Sequence, residues 1–177
     1  MRHRVYFDNA STTAPHPEVL KTYEDLLHTA YVNSESLYEE GTQIHDQMEK
    51  VRTAIADLLG CRAKEVIFTG GSSEANSMAV KGVALAAPRK KHIITSCIEH
   101  SSILHSCRQM ERLFGYEVTY LPVTEQGVVC IEDVIKALRQ DTVLVSIMLV
   151  NNEVGSINPI DQIKEIVKKR SHAFMHV

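Results

Sequence analysis

Phe68-Thr69-Gly70-Gly71-Ser72-Ser73-Glu74-Ala75-Asn76-Ser77 closes one apolar run and opens another of different period. Before it, Glu65-Val66-Ile67-Phe68-Thr69 has the short β-branched character of a buried strand, and after it Met78 to Leu85 continues as a helix. Two adjacent glycines allow a tight turn, and two serines can cap the helix. The first turn of a helix leaves backbone N–H groups unpaired and carries partial positive charge, so hydroxyls beside those groups suit a phosphate dianion. On its own the stretch also reads as an ordinary capped strand-to-helix turn, the commoner case. It is neither GxGxxG nor GxxxxGK[ST], which makes NAD and ATP poor candidates.

Working outward, the chain alternates. His92–Ser96 is predicted as a strand, Ser101 to Phe114 as a helix with Ile103, Cys107, Met110 and Phe114 on one face, and Glu117–Leu121 as the next strand. A helix with Ile131, Val134, Ile135 and Leu138 inward follows, then Thr142 to Val150, the longest apolar strand, and a helix around Pro159 to Arg170. This is the pattern of an α/β protein with a mainly parallel sheet flanked by helices, whose ligands bind beyond the carboxyl ends of the strands. The polar candidates fall there: Ser72 and Ser73 after one strand, His100 after the second, Asn151 and Asn152 after the long one. Upstream, Met1 to Pro17 reads as an arm, then comes a helix from Glu18 to Thr29 and a polar loop over 31–41. From Thr42 to Leu59 an amphipathic helix carries Ile44, Met48, Val51, Ile55 and Leu58 as its core stripe, with His45 at the surface.

Composition narrows the function classes. The chain has 177 residues, 44% hydrophobic, and a net charge of -3, enough for a sizeable core and without a basic footprint for nucleic acid. The Pro88-Arg89-Lys90-Lys91 cluster reads as a solvated loop. No apolar run is long enough to span a membrane and no signal-peptide core stands near Met1, so a cytoplasmic protein is expected. Cys61, Cys97, Cys107 and Cys130 match no zinc spacing and are expected as free thiols, with no metal site.

Taken together, Tyr6-Phe7-Asp8-Asn9-Ala10-Ser11-Thr12-Thr13, Asn33 to Gly41, the glycine–serine turn, Ile98-Glu99-His100 and Val150-Asn151-Asn152-Glu153-Val154-Gly155 resemble the NifS/IscS-like cysteine desulfurases, class V aminotransferase members of the pyridoxal-phosphate enzymes. The resemblance departs at Ser34, Glu35 and Tyr38, where the family commonly has Pro, Ser and His. It implies that residues 1–60 are an N-terminal arm and helices, and residues 61–177 part of the large domain of a fold-type I pyridoxal-phosphate transferase, ending before the Schiff-base lysine.

By the same resemblance Ser72 and Ser73 hold the cofactor phosphate, His100 lies on the pyridine ring and shuttles protons, and Asn152 sits near the ring's phenolic oxygen. Asn151 and Glu153 are expected to make turn hydrogen bonds before Gly155. The implied reaction takes sulfur from L-cysteine, leaving L-alanine and an enzyme persulfide that supplies a sulfur-acceptor protein such as an iron–sulfur scaffold, or thiolation of tRNA. The implied assembly is a homodimer. No lysine here stands in the family's Ser-x-His-Lys setting and no cysteine in its Ser-rich loop, so this chain alone is expected to bind the cofactor weakly and to be inactive. The alternatives are a related class V enzyme acting as selenocysteine lyase or aminotransferase, or a non-catalytic shortened relative that works through a partner chain.

Overall fold

The computed structural model describes residues 5–177; the first four residues of the expected arm lie outside them. Two compact units divide at Phe68/Thr69.

The first unit, residues 5–68, carries α1 (Pro17–Thr29) and α2 (Glu39–Leu59). Proline in the first turn of α1 and a histidine N-cap, whose Nδ1 accepts from the Glu18 N–H at 3.4 Å, set the start of that helix. Gly60, at φ +66°, ends α2 in the left-handed conformation that favours glycine. Gly41 is buried in the first turn of α2 because the loop at Asn33–Ser36 lies on it, and a β-carbon there would stand 2.5 Å from the Ser36 carbonyl oxygen.

Two expectations for this unit are corrected. The α2 stripe is not a closed core: Ile44 and Ile55 are half-buried, but Met48, Val51 and Leu58 are exposed. With Leu26, Ala30 and Phe68, its upper part lines a shallow apolar groove of about 290 Å³. The predicted strand at Glu65–Thr69 is also not formed. Ala63–Glu65 is a 3₁₀ turn, and the extended residues after it pair with no strand among the described residues. Arg52 straps them instead: its guanidinium donates to the Val66 carbonyl and lies 4.7 Å from the centre of the Phe68 ring.

The second unit, Thr69–Val177, is a four-stranded parallel sheet flanked by helices. In chain order it contains α3 (Ser72–Ala86), β1 (His92–Ser96), α4 (Ser101–Phe114), β2 (Glu117–Leu121), α5 (Ile131–Ala137), β3 (Thr142–Ser146), α6 (Ile160–Arg170) and β4 (Phe174–His176). The strand order is β2-β1-β3-β4, so the chain steps outward from β1 to β2 and then reverses to the other side of β1. Side-chain alternation sorts the two faces. Ile93 and Leu144 join Val80, Ile103, Cys107 and Met110 under α3 and α4, while Ile94 and Val145 join Val134, Ile163 and Val167 under α5 and α6. Both faces of β1 and β3 are therefore covered, and every residue of the two strands is buried, the polar ones standing at their ends.

The long strand predicted over Thr142 to Val150 stops at Ser146. The backbone beyond it is claimed elsewhere: the Met148 N–H donates to Glu99, the Met148 carbonyl accepts from the Asn158 side chain, and the Leu149 carbonyl accepts from the Asn158 N–H. Leu149 and Val150 leave the sheet half exposed.

At the amino ends of the strands, buried His92 lies between the Thr142 and Thr119 hydroxyls, each at 2.8 Å. Burial lowers its pKa, with the Arg139 charge adding to the effect and Asp141 and Glu117 opposing it. Below the ordinary histidine pKa of about 6.5 the unfolded chain takes up a proton that the folded one resists, so stability falls as the pH drops. His176, lowered by burial alone, acts in the same direction. Urea midpoints should therefore be flat between neutrality and about pH 8 and decline below neutrality, with His92→Gln shallower than wild type on the acid side; equal slopes there would contradict this placement of His92.

Candidate active site

Gly71 caps α3, in extended backbone, so the serines do not cap the helix as expected but stand in its first turn. The Glu74 and Ala75 N–H groups return to the Gly71 carbonyl at 3.1 Å, and the Glu74 carboxylate accepts from the Gly70 N–H at 2.7 Å. Helix geometry leaves the Ser72 and Ser73 N–H groups free. Both serines are exposed, and among the described residues neither hydroxyl has a hydrogen-bond partner. The turn is closed on itself, while its donors are unspent.

His100 is the N-cap of α4. Its Nδ1 accepts from the Ser102 N–H at 3.2 Å and lies 2.8 Å from the Ser102 hydroxyl, which in turn accepts from the Asn76 side-chain amide at 2.8 Å. Asn76 is one turn into α3, so a short polar chain ties the serine-bearing helix to His100. Asn76 and Ser102 were not singled out from the sequence. Asn76 lies inside the glycine–serine stretch Phe68 to Ser77, and Ser102 follows His100 by the spacing of an N-cap contact.

Glu99, 7% exposed, accepts from the Ser96 hydroxyl at 2.6 Å and the Met148 N–H at 3.0 Å, joining the end of β1 to the segment after β3. Burial raises its pKa against these two hydrogen bonds. On the β3 side, buried Asn151 donates to the Ile98 carbonyl at 3.0 Å and accepts from the Glu153 and Val154 N–H groups at 2.9 Å each. The Gly155 N–H returns to the Asn151 carbonyl, and its φ of +72° suits glycine. Asn152 is exposed, and its side chain has no hydrogen-bond partner among the described residues. Asn151 builds the turn and Asn152 is presented by it.

These segments surround a cleft of about 740 Å³ lined by Ile98–Ser101, Val123–Gly127 and Asn151–Val154. It stands beyond the carboxyl ends of β1, β2 and β3, and the strand order reverses between β1 and β3, the place where open α/β sheets bind ligands. His100 and Asn152 line this cleft; Ser72 and Ser73 do not, and connect to it through Asn76 and Ser102. No lysine lines it.

The class-V aminotransferase profile matches residues 5–177. The chain belongs to that family. Among curated relatives, it is 44% identical to the cysteine desulfurase IscS of Dictyoglomus turgidum, over 96% of this chain and 43% of that protein. It is also 44% identical to the NifS/IcsS protein homolog of Lactobacillus delbrueckii subsp. bulgaricus, over 98% of this chain and 45% of that one. It therefore spans less than half the length of these relatives. Among solved structures, a NifS-like protein superposes at a TM-score of 0.94 with 38% identity, covering 99% of this chain and 48% of that one. SspA in complex with cysteine superposes at 0.90 with 34% identity, covering 97% and 49%.

The residues present fit pyridoxal phosphate in part. Free hydroxyls and N–H groups at the start of α3 suit its phosphate, an imidazole at the cleft suits its ring, and an unpartnered amide suits a ring oxygen. The covalent anchor has no counterpart among the cleft residues.

Proposed function

We propose that this chain supplies the phosphate-binding and ring-facing part of a cysteine desulfurase. In this reading Ser72 and Ser73 hold the phosphate of pyridoxal phosphate, His100 covers the ring face, and Asn152 donates to the phenolic oxygen. The observation that carries it is the Asn76–Ser102–His100 connection, which fixes a phosphate-type helix start and an imidazole against each other at the sheet's switch point. The cofactor, when bound, supplies the electron sink that weakens bonds around the substrate's α-carbon. His100 would hold or deliver a proton beside it, and the unspent donors of α3 would anchor the phosphate.

The substrate is L-cysteine, with sulfur passed to an acceptor protein such as an iron–sulfur scaffold, in a cytoplasmic homodimer. Relatives named cysteine desulfurase support this choice over a selenocysteine lyase, an aminotransferase or a non-catalytic shortened relative. No helix of the described residues is long and apolar enough to cross a membrane.

The cradle is tested with pyridoxamine phosphate against pyridoxamine, amines that form no imine with surface lysines. The phosphate form should bind this chain at least about tenfold more tightly, the worth of one charge-assisted hydrogen bond, and Ser72→Ala/Ser73→Ala should remove most of that difference. Equal affinities for the two amines would overturn the assignment of Ser72 and Ser73.

A further inference from the structure

We infer that Ser102 and Asn76 are positioning residues that hold His100 in one tautomer, with the imidazole proton on Nε2 and a lone pair on Nδ1. A backbone N–H can only donate, so the Ser102 N–H, at a long 3.2 Å, favours a lone pair on Nδ1 but holds it weakly. The Ser102 hydroxyl agrees with it. Its oxygen accepts from the Asn76 amide at 2.8 Å, and its hydrogen is free to point at Nδ1, also at 2.8 Å. With the hydroxyl donating, the polarity runs one way, from Asn76 through Ser102 to His100; a proton on Nδ1 would face the Ser102 N–H and turn the hydroxyl hydrogen away. Nε2 has no hydrogen-bond partner among the described residues and keeps the proton.

The arrangement is specific to these side chains. An N-cap histidine needs only its backbone contact to start α4. The second contact, from a hydroxyl that is itself oriented from another helix, adds ring orientation and tautomer to capping. The consequence for chemistry rests on the function proposed above: His100 begins as a proton donor at Nε2, because its basic nitrogen is engaged behind it. It also links the phosphate cradle to the ring-facing group, so a change at Asn76 reaches His100 without touching it.

The test needs no cofactor, so its failure and the failure of the cofactor reading are separable. The 177-residue chain is labelled with ¹⁵N-histidine and its long-range ¹H–¹⁵N spectra recorded at neutral pH, with His100 identified by its loss in His100→Gln. The wild type should show two widely separated nitrogens, Nε2 protonated and Nδ1 not. In Ser102→Ala they should move toward each other as the second tautomer appears, and Ser102→Thr should restore the separation. Asn76→Asp, nearly isosteric, gives a second route that leaves the first turn of α4 intact. A carboxylate cannot donate to the hydroxyl and turns its hydrogen away from Nδ1, so the same collapse is expected. Amide spectra report that each variant is folded. A wild type with averaged or Nδ1-protonated nitrogens would overturn the inference, as would an undiminished separation in folded Ser102→Ala or Asn76→Asp.

Discussion

Asn151→Ala should lower the stability of the sheet unit by about 2–4 kcal/mol, whereas Asn152→Ala should change it by less than about 0.5 kcal/mol. The two asparagines are adjacent in sequence and opposite in use. Asn151 is 5% exposed, and both ends of its amide are spent: the nitrogen on the Ile98 carbonyl, the oxygen on the Glu153 and Val154 N–H groups. Truncation frees one carbonyl and two amides at the junction of the β1 and β3 ends, and an unsatisfied buried polar group costs about 1–3 kcal/mol. Asn151→Asp keeps the two accepted bonds but sets an oxygen against the Ile98 carbonyl, so an intermediate loss is expected. Urea denaturation followed by circular dichroism measures all three. Because Asn151 shapes the cleft rim, its loss should also blunt the binding of pyridoxamine phosphate, while Asn152→Ala weakens binding without unfolding. Equal stabilities for the two alanine variants would contradict the division of roles.

The sequence carried the second unit further than the first, for a physical reason. β1, β2, α3 and α4 are short elements whose central apolar residues, such as Val80, Ile93, Ile103 and Met110, pack within Thr69–Val177, so local period and tertiary packing agree there, although Met78, Leu85, Leu113 and Phe114 stay exposed. Glu65–Thr69 has the composition of a strand, but a strand exists only where another pairs with it, and here Arg52 takes the Val66 carbonyl instead. The stripe of α2 has the same character. Its period marks a helix correctly, while Leu58, 87% exposed, illustrates that period alone does not say what covers an apolar face.

The parts of the candidate site could be named from the sequence, but not their wiring. Ser72, Ser73, His100 and Asn152 were expected from position and family resemblance; His100 and Asn152 line the cleft, Ser72 and Ser73 do not, and the expected turn bonds of Asn151 and Glu153 are present. What joins the parts, Asn76 to Ser102 across 26 residues, is a side-chain contact between two helices. No local pattern encodes it. The serines illustrate the same limit: the glycine before them takes the cap, and their hydroxyls are left free for another partner.

The largest effect is expected at His100, and it is best read in a whole enzyme. Residues 5–177 replace the matching N-terminal part of the Dictyoglomus turgidum relative, and the chimera is loaded with pyridoxal phosphate and given L-cysteine. The rest of that protein is expected to supply the anchor that the cleft of this chain lacks, while Ser72, Ser73, His100 and Asn152 come from this chain. Formation of alanine with sulfide under a reducing agent is the measurement. The chimera should turn over, and His100→Ala should lower the rate by about 10²–10⁴-fold, the range for loss of a positioned proton-transfer group. A folded, cofactor-loaded chimera that forms no alanine, or one whose rate is unchanged by His100→Ala, would contradict the account.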